Sequence, residues 1–277
     1  MPATGASGID RRAQRSPLLY VSDQIENTVF VYTYPQLKPA GKLTGFSAPG
    51  GLCVNRRNGN IWVADQFHSA LVEFAHGGSA PIRTIHEGHD YVAACAVDPK
   101  SGDVALIATG SDDPGKIVVF KPGHGPSNTY SDDKHLYWPG YASYDASGNL
   151  FVDGTHFGVR QLALDELAKG ADKLTNVPWH GPRDSYAGGM QFDGSDLAIG
   201  DASKHLIYRT NAGRVSTTMM LRRSCLVRQF FIHDGVLIAP SACKKHGNVL
   251  IYPYPAGGEP VDQLGGLRDP VGAVLSP

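Results

Sequence analysis

The sequence predicts an all-β fold, a six-bladed β-propeller with four antiparallel strands in each blade. Three observations predict it: a two-strand phrase that recurs along the chain, a recurrence period matching one blade, and chain ends that each lack what the other supplies.

The phrase is an apolar strand, an Asp or Asn, a Gly turn, then a second apolar strand ending in a small or acidic residue. It reads PGGLCVNRRNGNIWVAD at 49–65, VAACAVDPKSGDVALIAT at 92–109, PGYASYDASGNLFVDG at 139–154 and AGGMQFDGSDLAIGD at 187–201. A shortened copy, QFFIHDGVLIAP, lies at 229–240. Third and fourth strands follow in VFVYTYP, ALVEFAH, KIVVFKP, GVRQLAL, HLIYRTN and NVLIYPYP. The second strands end near Asp23, Asp65, Thr109, Gly154, Asp201 and Pro240, at spacings of 42, 44, 45, 47 and 39 residues. Four strands in such a period make one propeller blade.

At the N-terminal end, LLYVSD has no first strand before it. At the C-terminal end, DPVGAVLS has the first-strand pattern with nothing after it. The last strand is therefore expected to complete the first blade, which removes two free sheet edges. A β-sandwich or a solenoid leaves this split blade unexplained. One domain over 18–277 follows, preceded at 1–17 by a polar, small-residue leader (MPATGASGIDRRAQRSP) expected to be disordered or the remnant of a removed signal.

Composition narrows the partners. The 277 residues carry 18 % charged residues and a formal net charge of −1, with no strong basic cluster. Nucleic-acid binders ordinarily present a basic face, so nucleic acid is not expected as a partner. No apolar run approaches the roughly 20 residues that span a bilayer, so no membrane span is expected. An extracytoplasmic or secreted location is expected, on the strength of a possible disulfide and the habits of similar bacterial propellers.

PGGLCVNRRNGNIWVAD and its cousins resemble the NHL-repeat and SMP-30-like six-bladed propellers, over about residues 18 to 277. Propellers host many unrelated activities, so the resemblance implies a fold, and function has to come from the site. In such a blade the first strand lines the central channel. The loops joining second to third strands, and those leading into each first strand, meet on one face, here called the top. His68, Trp138, His156, Arg183, Tyr186, His205 and Arg228 fall in these loops and are expected to contribute to a ligand-binding mouth. The mixture suits a small polar or anionic molecule, a peptide or a protein. Asp23, Asp65 and Asp201 recur at equivalent strand ends, where an Asp commonly caps a turn through its own backbone.

The SMP-30-like lactonases imply a catalytic cation at the channel mouth, held by acidic and Asn side chains where the first strands begin. The matching channel-lining positions here are Gly50, Ala93, Gly140, Gly188, Gln229 and Val271, and none is a carboxylate. A hard cation needs several oxygen ligands, so no metal is expected on the axis and no cofactor is predicted. The small residues either leave an open mouth or let the inner strands converge. No nucleophile elbow, H-E-x-x-H or P-loop occurs, and the loop histidines show no zinc-type spacing. The reading is a non-catalytic propeller binding a ligand or partner on its top face. The alternative is a lactonase, hydrolase or lyase of the SMP-30-like kind using a rearranged His/Asp site.

Cys225 leads into the sixth blade and Cys243 lies in a top loop of that blade, so a Cys225–Cys243 disulfide is expected. Cys53 and Cys95 sit on neighbouring inner strands, and in the repeat Cys95 matches Leu52. Side chains alternate faces along a strand, so these two are expected to point apart and stay as buried free thiols.

Overall fold

The computed structural model describes residues 6–88, 90–110, 114–122, 125–158, 161–182, 185–244 and 246–277. Six antiparallel sheets follow one another along the chain. Blade 1 contains β1 (Gly8–Ile9), β2 (Leu18–Asp23), β3 (Thr28–Thr33) and β4 (Pro39–Leu43), and takes its innermost strand, β25 (Pro270–Ser276), from the other end of the chain. Blade 2 is β5 (Pro49–Val54), β6 (Ile61–Asp65), β7 (Ala70–Phe74) and β8 (Pro81–His86). Blade 3 is β9 (Tyr91–Val97), β10 (Val104–Thr109), β11 (Lys116–Phe120) and β12 (Pro126–Tyr130). Blade 4 is β13 (Trp138–Tyr144), β14 (Leu150–Thr155), β15 (Leu162–Leu167) and β16 (Thr175–Asn176). Blade 5 is β17 (Ala187–Phe192), β18 (Leu197–Asp201), β19 (Leu206–Asn211) and β20 (Arg214–Met220). Blade 6 is β21 (Phe231–His233), β22 (Val236–Ala242), β23 (Gly247–Pro253) and β24 (Asp262–Leu267).

The expected closure is present: Leu18 pairs with Ser276 and Val21 with Ala273. Blades stack face on face around an axis, so a central strand is buried on both sides. That is why LLYVSD and IWVAD read as continuous apolar runs and are buried throughout. Alternate residues feed different layers. Leu52, Val54, Ile61 and Val63 pack with blade 1, whereas Cys53, Trp62, Ala64 and Leu71 pack with blade 3. Each fully buried Leu, Ile or Val among them contributes about 1.5–3 kcal/mol by leaving water.

Part of the expected leader is built into this body. Gly8 and Ile9 pair with Lys42 and Gly41, adding a fifth strand to the outer edge of blade 1. Ile9 and Ala13 are buried in the blade-1 core, the apolar contact that the polar composition of the segment concealed.

The cysteines need a correction. Cys225 and Cys243 are bonded, and so are Cys53 and Cys95, so no cysteine is free. The register behind the expectation is present: Cys53 pairs with Trp62, while Cys95 pairs with Leu106 as Leu52 pairs with Val63. The two thiols do leave opposite faces of equivalent strands. Those strands belong to different blades, however, and the forward face of blade 2 meets the rear face of blade 3. Opposite faces are therefore the ones that touch, with the two Cα atoms 5.7 Å apart.

Candidate functional site

The top face is assembled by repeated carboxylate clips. Asp65 accepts from the Ser47 backbone N–H at 2.7 Å through Oδ1 and meets His68 Nδ1 at 2.8 Å through Oδ2. Asp23 accepts from the backbone N–H groups of Glu26, Arg268 and Asp269. Asp201 accepts from the Ser203 backbone and hydroxyl. These aspartates hold turn and lead-in loops in place, the turn-capping role that Asp performs through local N–H groups.

Below the loops the inner strands of blades 1 to 5 change register near their starts, and the inner strands approach one another closely. A Cβ on Gly189 would lie 2.7 Å from Gln229 Cα, and one on Gly272 would lie 2.4 Å from Gln229 Oε1. At the expected channel positions, a Cβ on Gly50 would lie 2.9 Å from Gln66 Nε2 and one on Gly188 2.8 Å from Gly200 O, whereas one on Gly140 would meet nothing nearer than 3.4 Å. Gly50, Gly188, Gln229 and Val271 are buried, and Ala93 and Gly140 are half-buried. Gln229 reaches over Gly272 to pair with the blade-2 backbone, accepting from Leu52 N–H at 2.9 Å and donating to Leu52 O at 2.7 Å. Gln191 makes the same two bonds to Ile232. These side-chain amides continue the sheet hydrogen bonding from blade to blade.

Asp153, on β14, is a fully buried acid facing the inner strands of blades 4 and 5. Its Oδ1 accepts from the Tyr141 N–H at 2.8 Å, the Gly188 N–H bonds to the same carboxyl, and Oδ2 has no partner. Burial raises its proton affinity well above the ordinary carboxylate range, against the pull of those backbone donors. Ser22 holds the equivalent position in blade 1, accepting from Gly272 N–H and donating to Gly50 O at 2.6 Å. Nearby, Arg228 pairs with Asp269 at 2.9 Å, joining the lead-in loops of blades 6 and 1.

A cavity of about 480 Å³ occupies the opposite half of the channel, below Gln229. Its wall includes the Cys53–Cys95 bridge, and Arg56, Asp145, Asp193, His233 and Asp234 belong to its lining. Burial opposes ionisation of Asp193, but hydrogen bonds from Arg209, Tyr254 and the backbone outweigh it and hold the carboxyl well below its usual range. A shallower top cleft between blades 5 and 6 is lined by His205, Ser224 and the Cys225–Cys243 bridge.

The top also carries exposed aromatics. Phe67 (63 % exposed), in the turn after β6, meets Tyr91 (43 %) edge-on with ring centroids 5.7 Å apart. Phe157 (66 %), in the turn after β14, packs on Tyr137 and Trp138 at 4.7 and 5.8 Å. Ile25 (54 %) occupies the blade-1 loop position matching Phe67, two residues beyond the capping Asp. These residues make an apolar rim over blades 1 to 4.

Among the expected mouth residues, Trp138 begins β13 and pairs with Thr155, the neighbour of His156, and His156 lies edge-on to His135 at 4.6 Å. His68 is tied to Asp65 at blade 2. His205 bonds through Nδ1 to Cys225 O at 2.6 Å, so it braces the lead-in to blade 6. Tyr186 is half-buried before β17. Arg183 lies outside the described residues. The sequence reading passed over Phe67, Phe157 and Ile25, because a lone apolar residue in a loop has no periodicity. It also passed over a convergence of Asp132, His135 and Asp165, whose ligand-type atoms all lie within 4.8 Å of one another. The only local signal there was the Asp-x-x-His of SDDKHLYW.

Solved structures share this architecture. One from a nidogen/laminin complex superposes with a TM-score of 0.76 at 13 % identity, covering 95 % of this chain and 99 % of that one. A protein of unknown function from Bacteroides caccae gives 0.69 at 12 % identity, covering 94 % and 99 %. The likeness is one of fold. No family model matches the chain, so the resemblance to NHL-repeat and SMP-30-like proteins extends to the six-bladed architecture alone. No curated protein matches it significantly either.

Proposed function

We propose that this chain is a non-catalytic binding propeller that holds a protein or peptide segment across its top face, in an oxidising compartment outside the cytoplasm. The observation that carries the reading is the rim of Ile25, Phe67, Tyr91 and Phe157. Large apolar side chains on rigid loop tips, next to polar groups, are the composition of interface anchors. The carboxylate clips make those tips rigid, so little freedom is lost on binding. The two disulfides fit the oxidising setting. The nidogen/laminin neighbour supports the reading to the extent that its propeller fold occurs within a protein complex. A second reading, a small polar ligand in the lower channel, is favoured by the 480 Å³ cavity and its charged lining.

Selection from a displayed peptide library, with the purified chain as bait, separates the two. Binders are expected to lose about 10-fold or more in affinity with Phe67→Ser or Phe157→Ser, and to keep it with Ile82→Ser or Val261→Ser, which change exposed residues away from the top rim. Binders indifferent to both top variants would sink the top-face reading. Competition only by small solutes, abolished by Arg56→Ala, would favour the channel.

A further inference from the structure

The cleft between blades 3 and 4 holds a convergence of ligand-type side chains away from the axis. Asp132 and His135 lie in the loop from β12 to β13, and Asp165 projects from β15 to meet them. Asp165 Oδ1 contacts His135 Nδ1 at 2.5 Å. The Asp165 side chain is fully buried, and its Oδ2 has no partner. Asn176, paired with Asp165 across β15 and β16, sets its side-chain amide against both ring nitrogens of His135. Oxygen and nitrogen of an Asn amide are assigned from the hydrogen-bond network, and a half-turn presents Oδ1 instead.

Charge gives this arrangement its meaning. Two carboxylates and one imidazole converge, and among the described residues neither carboxylate pairs with a Lys or Arg. A buried carboxylate oxygen without a donor is costly unless a cation takes that place. We propose that Asp132, His135 and Asp165 bind one divalent transition-metal ion, Zn²⁺ foremost, with Asn176 Oδ1 or water as the fourth ligand. One imidazole and two carboxylates match the N/O ligand sets of Zn²⁺, whereas Ca²⁺ takes six to eight oxygens. Tetrahedral ligand bonds of about 2.0–2.2 Å set the donor atoms about 3.4 Å apart, so an entering ion replaces the His135–Asp165 hydrogen bond and opens that contact by roughly 1 Å. The ion would clip the lead-in loop of blade 4 to β15, and it would brace Tyr137 and Trp138, which lie two and three residues after His135. The site is independent of what the top face binds.

Calorimetric titration of the EDTA-stripped full chain with ZnCl₂, with metal analysis and thermal melts alongside, tests it. One Zn²⁺ per chain is expected, with the melt raised by about 5 °C in excess metal. His135→Ala and Asp165→Asn should each weaken binding about 100-fold and erase that shift, while His246→Ala changes neither. Asp132→Asn, on a partly exposed loop, guards against misfolding of the Asp165 variant and should weaken binding while melting as wild type in EDTA. No uptake by the wild type would overturn the proposal, as would unchanged affinity in the His135 and Asp132 variants, or tighter binding of Ca²⁺ than of Zn²⁺.

Discussion

Asp153 shows how one side chain exposes the balance of forces among the inner strands. Its carboxyl is buried, with backbone donors from Tyr141, Gly188 and its own residue and one oxygen unpartnered. Folding raises its proton affinity. Its neutral form therefore favours the folded state at acid pH, and that contribution is lost as pH rises through the folded pKa. Asp153→Asn keeps an acceptor for the Tyr141 N–H and removes the charge. The variant is expected to melt near the wild type at pH 4 and a few degrees above it at pH 8. A difference that stays flat across melts from pH 4 to 8 would show that Asp153 is not the acid described. Gln229 acts at the same scale, and Gly272 is the price of its passage.

The blade is the next scale, and what joins blades is the contact between faces. Cys53–Cys95 links blades 2 and 3 across a sequence separation of 42, and Cys225–Cys243 closes 18 residues. On the chain-entropy estimate these are worth about 4 and about 3 kcal/mol. Cys53 and Cys95 are buried (8 % and 3 % exposed), whereas Cys225 and Cys243 are half-buried beside an open cleft. Under graded dithiothreitol, Cys225 and Cys243 are expected to label with a thiol reagent first. Cys53 and Cys95 should label only near global unfolding, and the double Ala variant at 53 and 95 should lose more stability. Mass-spectrometric peptide mapping reads both, and simultaneous labelling of all four would contradict the ordering.

At the scale of the molecule, stability depends on closing the ring. β25 is buried at all seven positions and pairs with β2 as the inner strand of blade 1. Removing residues 269–277 strips blade 1 of that strand, exposes the β2 edge and unseats the Gly272 floor under Gln229. The truncated chain is expected to aggregate or to lose its single cooperative melt. A sharp melt at the wild-type temperature, by scanning calorimetry, would refute closure as the source of cooperativity.

The sequence by itself determined the blade count, the split first blade and the recurrence of Asp at the second-strand ends. These depend on local pattern, since strand period, turn residues and repeat length are properties of adjacent residues. Only the tertiary structure decided which faces meet. Cys53 and Cys95 pair because blades stack front to back, a relation that alternation within one strand cannot express. Gln229 reaches Leu52 from 177 residues away, and Asp165 meets His135 from 30. The leader packs through two buried residues in an otherwise polar stretch, and the larger cavity opens at the end away from the expected mouth. In each case the deciding quantity is a distance between segments remote in sequence, set by the packing of whole blades and carried by no short-range pattern.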